Sequence, residues 1–241
     1  MKRLDVYLAE NKIFPTREKA KEAILQGIVF KNGKVCTKAG EKTLDGDKIE
    51  VVGETLKYVS RAGLKLEKAK NEWNLNFKDK VVLDVGASTG GFTDFSLQNG
   101  AKKVYAVDVG TSQLHPSLLN NEKVVNIEKT DFRKLLPLPD KIDIAVCDCS
   151  FISLKLLYDK FLEILPSGAS LVVLIKPQFE CGKEIAQKTK GVIKDSTLQN
   201  NIKNEIISFY NQNGFSFMGE TKSPILGTAG NTEFLAWFIK I

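Results

Sequence analysis

The chain has 241 residues, with 35 basic against 29 acidic side chains and a formal charge of +6, giving a sequence pI near 9.0. That length holds one large domain, or a large and a small one, and the charge favours a polyanionic partner. Four cysteines, Cys36, Cys147, Cys149 and Cys181, form no C-x-x-C pair, so neither a zinc site nor a disulfide framework is expected, and free thiols in a reducing cytoplasm are the default. No export signal and no run of 18 apolar residues is present, so neither secretion nor a membrane span is expected.

Residues 1–38 carry nine Lys/Arg against four Asp/Glu. Leu4, Val6 and Leu8 mark a short helix. Thr16 is placed to N-cap a second, with Glu18 in its first turn and Ala20, Ala23 and Ile24 as its apolar face, ended by Gly27. Asn32-Gly33 between 28–30 and 35–37 is a hairpin signal, and Asp45-Gly46-Asp47 is a turn before a strand over 49–52. The string Arg3-Leu4-Asp5, Thr16-Arg17, Ala20, Ile24, Gly27, Val29, Asn32-Gly33 resembles the small RNA-binding module of S4-like domains. That resemblance gives residues 1–54 an RNA-binding role through Arg3, Arg17, Lys19 and Lys21, with 55–60 as a linker. Few aromatic residues lie here, so structured RNA is expected rather than a single-strand stacking platform.

From Ser60 a capped helix is expected over 61–73, with Ala62, Leu66, Ala69 and Trp73 inward and Lys65 at the edge of that stripe. Snorkelling is the ordinary reading of such a lysine. The run Val81–Val85 reads as a buried parallel strand, followed by Gly86-Ala87-Ser88-Thr89-Gly90-Gly91 and a helix from Phe92 to Asn99. Strand, glycine-rich loop and helix make the first unit of a nucleotide-type site. A second strand over 103–108 ends in Asp108, where such sites hold a ribose. The string Gly86-x-Ser88-x-Gly90 also matches a hydrolase nucleophile elbow, but the one histidine, His115, lies close behind it rather than late in the chain. Ser88 in place of a second glycine argues against a dinucleotide fingerprint.

Further strands are expected at 124–127, 142–147 and 171–175, alternating with helices, which implies a doubly wound parallel sheet with its ligands beyond the strands' carboxyl ends. Asp84, Asp108, Asp131, Asp148 and Lys176 fall at those ends. After Lys176, residues 177–180 read as a rigid turn, 181–197 as a mobile polar loop, 198–209 as an amphipathic helix, and 215–218 and 234–239 as two antiparallel strands.

The strings Ser60-Arg61-Ala62-Gly63-Leu64-Lys65-Leu66, Asp84 through Thr93, Asp148-Cys149-Ser150-Phe151-Ile152-Ser153-Leu154, Lys176-Pro177-Gln178-Phe179-Glu180 and Gly230-Asn231-Thr232-Glu233-Phe234 together resemble the TlyA (haemolysin A) family, itself similar to FtsJ-type ribosomal-RNA 2′-O-methyltransferases. The resemblance covers essentially the whole chain. It implies a Rossmann-like α/β domain with a seven-stranded sheet over 61–241, after a small α+β S4-like domain. S-adenosylmethionine is the implied donor, and a cytidine ribose of ribosomal RNA, large subunit favoured, the implied acceptor. It also implies a catalytic tetrad of Lys65, Asp148, Lys176 and Glu233. Donor contacts would come from Asp84, Gly86, Ala87, Ser88, Gly90, Gly91, Phe92, Asp108, Asp131 and Asp148, and Arg61 joins the RNA-binding residues. No metal is expected, and both monomer and homodimer fit. The rivals are a membrane-active haemolysin, a non-catalytic RNA-binding assembly factor, and a base-directed methyltransferase. The last would want Asn/Asp-Pro-Pro-Tyr/Phe where this chain has Asp148-Cys149-Ser150-Phe151.

Overall fold

The computed structural model describes residues 2–25, 27–44, 46–52, 57–227 and 229–241. Two compact units divide the chain, Met1–Lys57 and Tyr58–Ile241. Asp45 of the expected second turn, residues 53 and 54 at the end of the expected first domain, and 55 and 56 of the expected linker lie outside the described residues.

In the first unit, β1 (Lys2–Arg3) leads into α1 (Leu4–Glu10) and α2 (Arg17–Leu25), followed by β2 (Val29–Lys31), β3 (Lys34–Val35), β4 (Lys42–Thr43) and β5 (Ile49–Val51). The Thr16 hydroxyl accepts the Lys19 amide at 3.2 Å, so α2 begins where its sequence cap stands. Asn32 and Gly33 both take positive φ, 52° and 77°, the pairing that matches a two-residue hairpin to strand twist. The hairpin strands are shorter than the sequence implies: past the end of β3, Cys36 keeps one amide bond to the Val29 carbonyl at 2.8 Å and is buried with Leu4, Leu8, Ala20, Ala23, Ile24 and Val29.

The second unit contains α3 (Ala62–Trp73), β6 (Val81–Val85), α4 (Gly91–Gln98), β7 (Lys103–Val107), α5 (Pro116–Leu119), β8 (Val124–Ile127), β9 (Ile144–Cys147), α6 (Tyr158–Ile164), β10 (Ser170–Ile175), α7 (Pro177–Glu180), α8 (Gly182–Lys188), α9 (Ser196–Gln212), β11 (Phe215–Lys222) and β12 (Phe234–Lys240). Its strands form a seven-stranded sheet in the order β11-β12-β10-β9-β6-β7-β8. The pairings of β6, β7, β8, β9 and β10 are parallel, and β12 runs against both of its neighbours.

Period-two alternation splits the strands between two apolar layers. Leu83, Val85, Tyr105, Val107, Ala145, Leu171 and Val173 face a layer with Phe161, Ile206 and Tyr210. Val82, Val104, Ile144, Val146, Val172 and Leu174 face Leu66, Ala69, Phe92 and Phe95 of α3 and α4. With both faces covered, the strands are nearly continuous apolar runs, and each fully buried side chain of this kind contributes roughly 1.5–3 kcal/mol.

Four expectations are corrected. The α3 helix starts at Ala62 without a side-chain cap, because the Ser60 carbonyl rather than its hydroxyl takes the Gly63 amide. Residues 177–180 are a helical turn with proline at its first position, where no amide is needed. The polar stretch 181–197 includes α8 and the start of α9, whose cap is Asp195. The strand expected from Ile142 begins at Ile144, since the Asp143 carboxylate is used to accept the Val81 amide at 2.9 Å.

Candidate active site

The sheet reverses its winding between β6 and β9, which are neighbours although β7 and β8 intervene in sequence. Ligands of open α/β sheets enter at such a switch point. Val85 pairs with Cys147, so the loop at Gly86 lies beside Asp148, and the Asp148 amide donates to the Val85 carbonyl at 3.0 Å. Gly86 has φ +80°, and a Cβ there would meet the Asp148 carbonyl and the Cys149 sulfur at 3.0 Å. Gly90 has φ +94°, and a Cβ would lie 2.3 Å from Leu118. No larger residue fits that cradle without displacing its wall.

The antiparallel strand β12 completes the site. Ile175 pairs with Phe234, so Lys176, one residue beyond β10, stands beside Glu233, one residue before β12. A reversed strand starts at the end where parallel strands finish, which is how a late acid reaches this cleft. Lys65 arrives from α3. Its ammonium donates to Asp148 Oδ2 at 3.1 Å and to Glu233 Oε2 at 2.8 Å. Lys176 Nζ lies 2.6 Å from Asp148 Oδ1 and donates to the Ser150 hydroxyl at 2.9 Å. The four side chains thus form one chain of contacts, Lys176–Asp148–Lys65–Glu233.

Burial resists charge on both central members, yet their partners prevail. Lys176 and Lys65 hold the Asp148 carboxyl below its usual range, and Asp148 and Glu233 raise the Lys65 ammonium above its own. Lys65 is 7% exposed; it is a buried, doubly paired cation rather than the snorkelling lysine of the ordinary sequence reading.

Two adjoining cavities open here. One, of about 840 Å³, is lined by Arg61, Lys65, Asp84, Gly86, Ala87, Ser88, Phe92, Asp148, Lys176 and Glu233, among others. The other, of about 350 Å³, is lined by Val107, Asp108, Asp131, Cys149 and Phe151, with Gly86, Ser88 and Asp148 shared. Asp84 is the penultimate residue of β6 rather than a residue beyond its end. Its Oδ2 accepts the Thr93 hydroxyl at 2.7 Å, while its buried Oδ1 has no hydrogen-bond partner among the described residues. Burial lifts this carboxyl to about 7, against the Thr93 hydrogen bond. Asp108 accepts the Ser88 and Gly110 amides at 2.8 and 2.7 Å. Asp131 is held by Arg133, whose Nη2 lies 2.6 Å away.

Three residues with no role in the sequence reading also build the site. Ser150 accepts from Lys176. Glu180 accepts the Ser153 hydroxyl at 2.5 Å and the Leu154 amide at 2.9 Å, tying α7 to the segment after β9. Phe151 is 89% exposed, with φ +63°, an unusual setting for a bulky side chain; its ring lies 4.9 Å from that of Phe179. Only their fixed spacing from Asp148 and Lys176 pointed to them.

In the first unit, buried Asp5 takes Arg3 at 3.0 Å and Arg17 at 2.9 Å. The Arg3 hydrogen bond, outweighing burial and aided by Arg17, pulls its carboxyl to about 2. Both guanidinium side chains stay half-exposed, at 50% and 54%, and Lys19, Lys21 and Arg61 are exposed.

A family model for FtsJ-like methyltransferases matches residues 58–240, and one for S4 domains matches 2–49. The chain belongs to the FtsJ-like methyltransferase family. Within it, Hemolysin A of Brachyspira hyodysenteriae is 44% identical over 98% of this chain and 99% of its own. The 23S rRNA (cytidine-2′-O)-methyltransferase TlyA of Campylobacter jejuni is 40% identical over 81% of this chain and 76% of its own. The 16S/23S rRNA (cytidine-2′-O)-methyltransferase TlyA of Mycobacterium tuberculosis is 34% identical over 98% and 88%. A solved structure from Streptococcus thermophilus, titled as a hemolysin, superposes with a TM-score of 0.76 at 44% identity, covering 99% of this chain and 88% of that one. This FtsJ-like chain has no helix, among the described residues, long and apolar enough to cross a membrane. Nor do those residues hold a cluster of three or more His, Cys, Asp or Glu side chains arranged to hold a metal ion.

Proposed function

We propose that this protein methylates the ribose 2′-hydroxyl of a cytidine in ribosomal RNA, the large-subunit RNA favoured, in the cytoplasm, with S-adenosylmethionine as donor. The observation that carries the reading is the Lys176–Asp148–Lys65–Glu233 chain beside a glycine cradle at the sheet's switch point.

The donor fits the residues present. The partnerless Asp84 Oδ1 suits an ammonium group, the Gly86 cradle leaves room for a methionine chain, and Asp108 and Asp131 line the smaller cavity where ribose and adenine would sit. Gly90, Gly91 and Phe92 hold the far side of that loop at the start of α4. When bound, the donor would supply a methyl carbon on a sulfonium, which would leave with the C–S electron pair as a neutral thioether.

The work of this chain is to place a hydroxyl and take its proton. Lys65, fixed as a cation by two carboxylates, holds the 2′-oxygen and stabilises negative charge growing on it. Asp148 orients Lys176. The Lys176 amine would take the proton of the 2′-hydroxyl as that oxygen accepts the methyl group. Glu233 keeps Lys65 charged and aimed. Phe151 offers an exposed ring to the base of a nucleotide drawn into the cleft, and Arg3, Arg17, Lys19, Lys21 and Arg61 supply phosphate contacts.

The deciding experiment incubates the protein with labelled S-adenosylmethionine and ribosomal subunits from a strain lacking the modification, then identifies the labelled nucleoside by digestion and mass spectrometry. 2′-O-methylcytidine is expected. A methylated base would remove the tetrad mechanism, and no incorporation despite donor binding would favour a binding role.

A pH dependence follows from Asp84. Its raised value makes the carboxyl neutral below about 7. Its contribution to stability in the donor-free protein is full below the ordinary carboxyl value of about 4 and fades as pH rises toward 7. Donor affinity moves the other way, since an ammonium group needs the carboxylate. S-adenosylhomocysteine should bind about tenfold tighter at pH 8 than at pH 6 by calorimetry, and Asp84→Asn should flatten the profile. A flat profile in the unmodified protein would remove Asp84 from the ammonium site.

A further inference from the structure

The larger cavity is also lined by residues 190 and 191, in a short segment between α8 and α9. Lys190 and Gly191 both have positive φ, 49° and 74°. Glycine accepts this conformation freely; lysine is strained in it. The segment is nonetheless held firmly. Asn231, 3% exposed, spends its whole side-chain amide on it: Nδ2 donates to the Gly191 carbonyl at 2.8 Å, and Oδ1 accepts the Ile193 amide at 2.9 Å. Gln199 Nε2 donates to the Ile193 carbonyl at 2.6 Å.

What this anchored, strained crest presents is a cation. The Lys190 side chain is exposed, lines the cavity, and has no acidic partner among the described residues. Arg61 lines the same cavity, also exposed and also without such a partner among them. A nucleotide within a polymer brings a phosphodiester on each side of its ribose, so a ribose held at Lys65 and Lys176 needs an anion-tolerant rim on both sides.

We propose that the 189–193 strap is a phosphodiester-binding element in which Lys190 takes the RNA phosphate on one side of the target ribose and Arg61 the phosphate on the other. This rests on the 2′-O-methyltransferase reading and adds the backbone contact that seats the acceptor strand. Strain at position 190 is kept because glycine would offer the crest without the charge.

Four variants of the full chain test it, using unmodified large ribosomal subunits as the probe. Lys190→Gln should raise the subunit KM about tenfold at moderate salt. It should also lower the slope of log affinity against log salt by about one phosphate contact, with kcat at saturation and S-adenosylhomocysteine affinity unchanged. Lys190→Arg should restore the KM. Lys190→Gly should give the same KM loss with a melting temperature at or above that of the unmodified protein, since glycine relieves the positive φ; a merely structural lysine would show no such opposition. Sedimentation binding to the same subunits reads the contact without turnover. An unmodified protein that binds subunits with the Lys190-dependent slope but makes no 2′-O-methylcytidine sinks the reaction and keeps the strap. Product formation with unchanged KM, binding and salt slope in Lys190→Gln overturns the strap alone. So does Lys188→Gln, at the end of α8 and outside the cavity lining, matching the effect of Lys190→Gln, because diffuse charge would then suffice.

Discussion

Lys176→Ala is expected to lower methyl transfer by about 10²- to 10⁴-fold, the range that loss of a positioned proton acceptor commands. S-adenosylhomocysteine should still bind within a few-fold of the unmodified protein. The two effects separate because Lys176 Nζ contacts Asp148 and Ser150, on the acceptor side, whereas the glycine cradle, Asp84 and Asp108 stand on other loops. The substitution leaves Asp148 paired with Lys65 at 3.1 Å, so the fold keeps a compensated carboxylate and the loss is chemical rather than structural. Single-turnover transfer beside calorimetric donor binding measures both. Turnover within tenfold of normal would remove Lys176 as base and leave a permanently charged lysine stabilising a developing alkoxide, with proton loss after the methyl transfer.

Asp148→Ala should cost more than activity. Among the described residues, Asp148 is the one carboxylate that contacts both lysines. Removing it leaves Lys176, 7% exposed, with the Ser150 hydroxyl and the Phe179 ring at 5.9 Å, but no carboxylate. Breaking a buried pair by deleting one partner typically destabilises by roughly 3–5 kcal/mol, because the surviving charge is uncompensated. Equilibrium urea unfolding should register that loss, and transfer should be undetectable. The isosteric Asp148→Asn keeps the volume and part of the hydrogen bonding, so it should unfold closer to the unmodified protein yet be equally inactive. Similar stability for Asp148→Ala and the unmodified protein would mean that the lysines reorient to water and are not locked in the native site.

Much of this was legible before any coordinates. The run from Val81 to Val85 and the glycines behind it are a local signal, and the chain folds there as its pattern dictates. Asp148 and Lys176 follow buried strands, so they too could be read from the ends of apolar runs. Lys65 and Glu233 could not be placed that way. Each is brought by a tertiary choice, Lys65 by the docking of α3 and Glu233 by the reversal of β12, and family resemblance rather than periodicity pointed to them. The α8 helix was missed because none of its residues is buried, so it carries no apolar stripe to betray its period. The strap it leads into, with Lys190 at positive φ, obeys no local preference and is specified by the Asn231 amide, which bonds Gly191 from 40 positions on.

The placement of β12 has a consequence for how such a protein comes into being on the ribosome. The strand is threaded between β10 and β11, so the sheet has an interior gap until Phe234–Lys240 emerges. The N-terminal unit needs no contact so distant in sequence: its pairings close within residues 2–51. During vectorial synthesis the basic module can therefore assume its fold while the methyltransferase half still lacks both a strand and Glu233. A nascent chain would acquire its basic module well before its reactive centre, because β12 and the Glu233 that precedes it are made after every other strand of the sheet.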